Sequence, residues 1–173
     1  FFTTPMAYMI ISGFIIAGAV RASGLARRLA LFLISRYISD YRHVIICCYL
    51  LSYIMAVMIP QPFARAFLIL SIMQLLLKDS GLGQKHAANI GLAVFAAQNG
   101  AGMMVLTGDS SLNMMILSQI PEAFRPSWGQ WLYYMAVPAL LTGACMCALQ
   151  LFLVGHPETF RLDRGKAKEE LDK

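Results

Sequence analysis

The sequence predicts an all-α integral membrane protein whose transmembrane helices include a re-entrant helical hairpin and a broken, discontinuous helix. Three observations carry that class. Of 173 residues, 58% are hydrophobic and only 13% are charged, against about 25% charged in a typical soluble domain. The apolar runs are long enough for several spans. Two of those runs are interrupted by residues that do not suit a continuous membrane helix. The net charge of +5 does not point to nucleic acid, because the bases flank apolar segments instead of forming a groove-binding patch.

Residues 5–20 form the first expected span, with Pro5 at a tolerated helix start. Residues 25–41 place Leu25, Leu29, Phe32 and Leu33 at helical spacing among arginines, which suits a helix lying in the interface. Residues 44–77 are the expected hairpin. Pro60-Gln61-Pro62 breaks the helix near its middle, because each ring removes an N–H and drives the preceding residue out of the α region. Each leg has about 15–17 residues, roughly 25 Å of helix, short of the usual ~20-residue span. No polar loop separates the legs, so the turn is expected inside the membrane.

Residues 78–86 read as a polar turn. The run 87–120 is the expected broken helix. Asn99 to Ser111 interrupts it with glycines at 100, 102 and 108, and Asp109-Ser110-Ser111 supplies N-cap residue types for its second half. Residues 130–154 form the last span, introduced by an aromatic belt of Trp128, Trp131, Tyr133 and Tyr134. Residues 156–173 form a charged tail outside the 1–155 membrane domain. Residues 21–43, 78–86 and 156–173 hold every Lys and Arg except Arg65 and Arg125. The excess of positive charge on cytoplasmic loops therefore puts those three segments in the cytoplasm of a multi-pass plasma or inner membrane protein.

Arg65 is the costly residue. An arginine this deep in apolar sequence is presumed functional. Backbone outside helical geometry at membrane depth must line a cavity or be buried in protein. If the helix starts near Phe63 and Ser110 both face the midplane, unpaired N–H groups and positive dipole ends converge there, and Arg65 adds a full charge. That combination suits a small anion. The loop Thr107-Gly108-Asp109-Ser110-Ser111 offers amides and hydroxyls to an anion, or carbonyls and a carboxylate to a cation. The alternative is that Asp109 pairs with Arg65 and neutralises both. For Gln98 and Asn99, helix–helix hydrogen bonding competes with ligand contact. Cys47, Cys48, Cys145 and Cys147 lie in apolar runs and read as packing residues. No nucleophile–base set or metal-ligand spacing appears, so neither an enzyme nor a bound metal or cofactor is expected. Phe1 opens the chain without an initiator methionine, which suggests part of a longer polypeptide.

These segments resemble the divalent anion:sodium symporter family, within the ion transporter superfamily, along nearly the whole chain. Residues 10–31 (IISGFIIAGAVRASGLARRLAL) are similar to its third and fourth helices. Residues 59–66 (IPQPFARA) fall where members carry a Ser-Asn-Thr tip, closest to the variant P-S-N-T-A-R. Residues 105–111 (VLTGDSS) fall at the T-L-T-G-T loop, and residues 128–138 (WGQWLYYMAVP) resemble the following segment. The resemblance implies an elevator-type secondary transporter of dicarboxylates, tricarboxylates, sulfate or a related anion. It also implies a homodimer in the lipid bilayer, each protomer having two inverted repeats of which this chain is most of the first.

Carried over, the substrate-binding positions are Gln61, Phe63, Arg65, Thr107, Gly108, Ser110 and Ser111. The coupling-ion positions are Gln61, Asn99, Gly100 and Asp109, with sodium as the ion in symporters. Gln61 takes the Ser place, Pro62 the Asn place and Phe63 the Thr place, so the usual side-chain oxygens are replaced by one amide. The retained arginine resembles the sodium-independent antiporter branch. A second reading, motivated by those missing oxygens, is a transporter-fold module that senses or assembles in the membrane without flux.

Overall fold

The computed structural model describes residues 40–77 and 80–153 continuously, preceded by residues 7, 8, 11, 12, 15, 18, 19, 22–24, 28 and 32. The expected first span (5–20) and interfacial helix (25–41) lie mostly outside the described residues, and the tail 156–173 lies wholly outside them. Among the described residues the structure is helical, without strands. The continuous part runs α1 (Tyr41–Met58), α2 (Pro62–Leu77), α3 (Gln84–Met104), α4 (Ser110–Gln119), a short 3-10 turn (Glu122–Phe124) and α5 (Trp128–Leu153).

Capping sets the boundaries. The Asp40 side chain accepts the Tyr41 N–H at 2.8 Å, so α1 starts three residues before the expected Val44 and takes Tyr41 from the interfacial segment. It stops at Ile59, which is extended (φ −119°, ψ 107°) because the next residue is proline. Pro62 then opens α2 at the first helical position, where its missing N–H costs nothing. α1 and α5 are each long and apolar enough to cross a membrane, whereas the apolar part of α2 is shorter.

The second interruption is narrower than the composition suggests. α3 begins at Gln84, inside the expected polar turn, and continues through Asn99, Gly100 and Gly102 to Met104. Only Val105 to Asp109 leaves helical structure, and Ser110 and Ser111 already belong to α4. Each glycine costs about 1 kcal/mol relative to alanine in a helix, and here packing offsets that cost. Tyr53 of α1 passes between α3 and α5, where its hydroxyl donates to Ala139 O. A Cβ at Gly100 or Gly143 would meet that hydroxyl at once. The three helices therefore approach each other through an aromatic ring seated on two glycines.

α3 is the hub. It packs most extensively on α5 and α1, and α2 lies against both α3 and α1. Val44, Ile45, Leu51 and Met55 of α1, Ile69 of α2, and Ile90, Val94 and Ala97 of α3 form the apolar core. In lipid, apolar area alone does not drive helices together, so close packing and buried hydrogen bonds must hold them. Tyr49 Oη donates to Gln150 Oε1 at 3.0 Å, and Asn89 Nδ2 donates to Tyr41 Oη at 3.0 Å. On α5 only Trp131, Ala139, Gly143 and Gln150 are buried. Its remaining apolar surface, including Val137, Leu141 and Phe152, is exposed, as a bilayer-facing helix requires. Cys47 and Cys48 are buried in α1. Cys147 is partly buried against the core, and Cys145 is exposed.

Candidate functional site

The two interruptions touch. Ser110 closes α3–α4 onto the α1–α2 break: its N–H reaches Pro60 O at 3.3 Å and its hydroxyl reaches the same oxygen at 3.4 Å. Both are long for hydrogen bonds, and alone they would be a weak tie. Arg65 makes the strong one. Its Nη1 donates to Ile59 O at 2.7 Å and to Gly108 O at 2.6 Å, one carbonyl from each break. These carbonyls lack a helical partner because the helix ends beside them, and a charged donor bonds them about twice as strongly as a neutral one.

The guanidinium is wholly buried, at 0% exposure. Its Nε donates to Gln98 Oε1 at 2.9 Å. The third nitrogen, Nη2, is buried and has no hydrogen-bond partner among the described residues. Of the expected Arg65–Asp109 pairing, the electrostatic attraction is present, but among the described residues the two side chains share no hydrogen bond. Among the described residues, every hydrogen bond Arg65 makes through its side chain goes to a neutral oxygen, while Asp109 Oδ1 accepts the Leu112 N–H at 3.2 Å. Asp109 is the N-cap of α4, which is what a carboxylate at a helix start is suited to be.

Gly108 is fixed by its surroundings. Its N–H donates to Val105 O at 2.7 Å. A Cβ there would lie 2.9 Å from Gly102 O, 3.0 Å from Val105 O and 3.1 Å from Ala101 O. Only glycine lets the chain fold this tightly over the end of α3 and still present its carbonyl to Arg65. Gln61 is buried at the other tip, and its carbonyl accepts the Arg65 N–H at 3.2 Å.

The remaining expected positions lie elsewhere. Phe63 is 63% exposed, unlike the buried Arg65 and Gln98. Asn99 is exposed, one residue from the buried Gln98, and Gly100 seats Tyr53. Thr107 is half-buried and accepts from Trp128 Nε1 at 3.5 Å. Ser111 is half-buried in the first turn of α4.

Two residues outside the expected site hold it together. Gln98 is one. The other is Asn113 of α4, fully buried, whose Nδ2 lies 2.9 Å from Gly102 O and 3.1 Å from both Val105 O and Leu106 O. With Trp131 Nε1 donating to Met103 O at 3.0 Å, side chains of α4 and α5 cap the carbonyl end of α3. The available signal for Asn113 was an amide inside an otherwise apolar run just after a polar loop.

The centre holds a buried cation that bonds carbonyls from both interruptions and keeps one guanidinium nitrogen without a partner among the described residues. A comparison with curated proteins finds no match. The sodium:sulfate symporter transmembrane region family matches residues 1–173, and the chain belongs to that family of membrane transporters, the one its interruptions resemble.

Proposed function

We propose that this chain is one repeat of a secondary active transporter for a small anion such as sulfate, a dicarboxylate or a tricarboxylate. Arg65 is its fixed positive charge. One observation carries the reading: a fully buried guanidinium with a free Nη2 bridges the two interruptions. A buried charge needs a counter-charge. Among the described residues no carboxylate hydrogen-bonds this one, and a substrate anion is suited to meet its unpaired Nη2.

The same geometry favours sodium-independent transport. The Ile59 and Gly108 carbonyls at the breaks face the Arg65 guanidinium, so a sodium ion on their remaining lone pairs would sit against a fixed positive charge. In this reading α1 and α2 form a re-entrant hairpin, and α3 and α4 form a broken helix. Residues 21–43, 78–86 and 156–173 face the cytoplasm. A second repeat and a second protomer complete an elevator-type homodimer.

Ligand-induced thermal stabilisation tests this. With the full-length protein in detergent and choline buffer, sulfate or succinate at about 100 times its Kd should stabilise by about 2.7 kcal/mol. Replacing choline with sodium should add nothing. Stabilisation that appears only with sodium contradicts the fixed-charge reading.

A further inference from the structure

A neutral amide, not a carboxylate, meets the buried guanidinium. Gln98 lies on α3 and is itself buried, and its Oε1 accepts the Arg65 Nε–H. Its other end is fixed. Nε2 donates to Ser52 Oγ at 2.9 Å and to Val94 O at 3.0 Å, while the Ser52 hydroxyl donates to Cys48 O at 2.8 Å. Because the nitrogen faces two acceptors, the oxygen is the end that must face Arg65.

Glutamate would have the same length and could accept from the same Nε–H. It would also give the guanidinium the carboxylate that buried arginines ordinarily need. Asp109, the acid beside this centre, is half-buried, caps α4 through Leu112 N–H and makes no hydrogen bond to Arg65 among the described residues. The amide at 98 therefore adds no second carboxylate to the guanidinium.

We propose that Gln98 is a positioning residue for anion recognition. It fixes the guanidinium plane through Nε so that Nη2 is the donor left for substrate, and its neutrality reserves the positive charge for that substrate. This rests on the reading of Arg65 as the anion contact. With Nε and Nη1 spent on protein, the substrate meets one nitrogen instead of a two-pronged fork. A sulfate oxygen and a carboxylate oxygen satisfy that donor equally.

The test compares Gln98→Glu and Ser52→Ala with wild type in the full-length protein, reconstituted in liposomes and assayed with labelled sulfate and labelled succinate. Gln98→Glu should raise KM for both probes by more than about thirtyfold, since a carboxylate within hydrogen-bond range cancels the charge. Its melting temperature should fall by no more than several degrees, because the ion pair with Arg65 offsets the loss of the amide's bonds to Ser52 and Val94. Ser52→Ala leaves Val94 O as the amide's acceptor and should keep KM within about threefold. An unchanged KM in Gln98→Glu overturns the proposal. So does a parallel rise in KM and fall in melting temperature in both variants, which would mark Gln98 as merely structural. Wild-type protein that moves neither probe in either direction sinks the transport reading, and this inference with it.

Discussion

Arg65→Ala should abolish anion uptake and also destabilise the protein. The substitution removes the charge and leaves Ile59 O, Gly108 O and Gln98 Oε1 without the donor they share. A buried polar group left unsatisfied costs about 1–3 kcal/mol. Membrane proteins recover part of that cost through alternative partners, so a net loss of about 3 kcal/mol is expected. Arg65→Lys separates the two effects. Lysine keeps the charge but concentrates it on one nitrogen and loses the planar fork, so it cannot hold both breaks and Gln98 in the same geometry. It should retain uptake with KM raised about tenfold, equivalent to about 1.4 kcal/mol. Uptake measured beside thermal melts for both variants checks this. Wild-type KM in Arg65→Ala would remove the residue from the site.

Gly108→Ala should have the next largest effect. The added carbon faces three backbone oxygens at 2.9–3.1 Å, and backbone, unlike a flexible side chain, cannot swing aside. Overpacking of this kind costs about 1–3 kcal/mol, and the upper end is expected because the relief is to open the Val105–Asp109 loop. Opening it withdraws Gly108 O from Arg65 and unties the two interruptions. The expected signature is a melting temperature lowered by several degrees together with a KM increase for anions. Wild-type KM in a destabilised Gly108→Ala protein would show that the loop does not position Arg65.

Much of this arrangement was legible in the sequence, and the reasons are local. Pro60 and Pro62 end one helix and start the next by covalent geometry, so that interruption needed no tertiary knowledge. Asp109 announced α4 because a carboxylate satisfies N–H groups at a helix start. Contacts set by neighbouring helices were not legible. Gly100 looked like loop, and only Tyr53 arriving from α1 explains why the helix continues through it. Asn99 and Gln98 differ by about 100° around the α3 axis. α3 carries small and apolar residues on every side, so periodicity could not choose which amide faces inward. Asn113 was inconspicuous, and Gln98 stayed undecided between two readings, because a single amide in an apolar helix looks alike whether it bonds a neighbouring helix or a site. Arg65 was conspicuous as a charge, whereas its role as a tie between two carbonyls depends on a fold that joins residues 43 positions apart.

The most direct measurement is counterflow. Liposomes holding the full-length protein are loaded with unlabelled sulfate or succinate in sodium-free choline buffer, and entry of the labelled anion is followed. The account predicts transient accumulation of label that needs internal anion, is indifferent to added sodium, and vanishes in Arg65→Ala. Accumulation that requires sodium, or that persists with unaltered KM in Arg65→Ala, would contradict it.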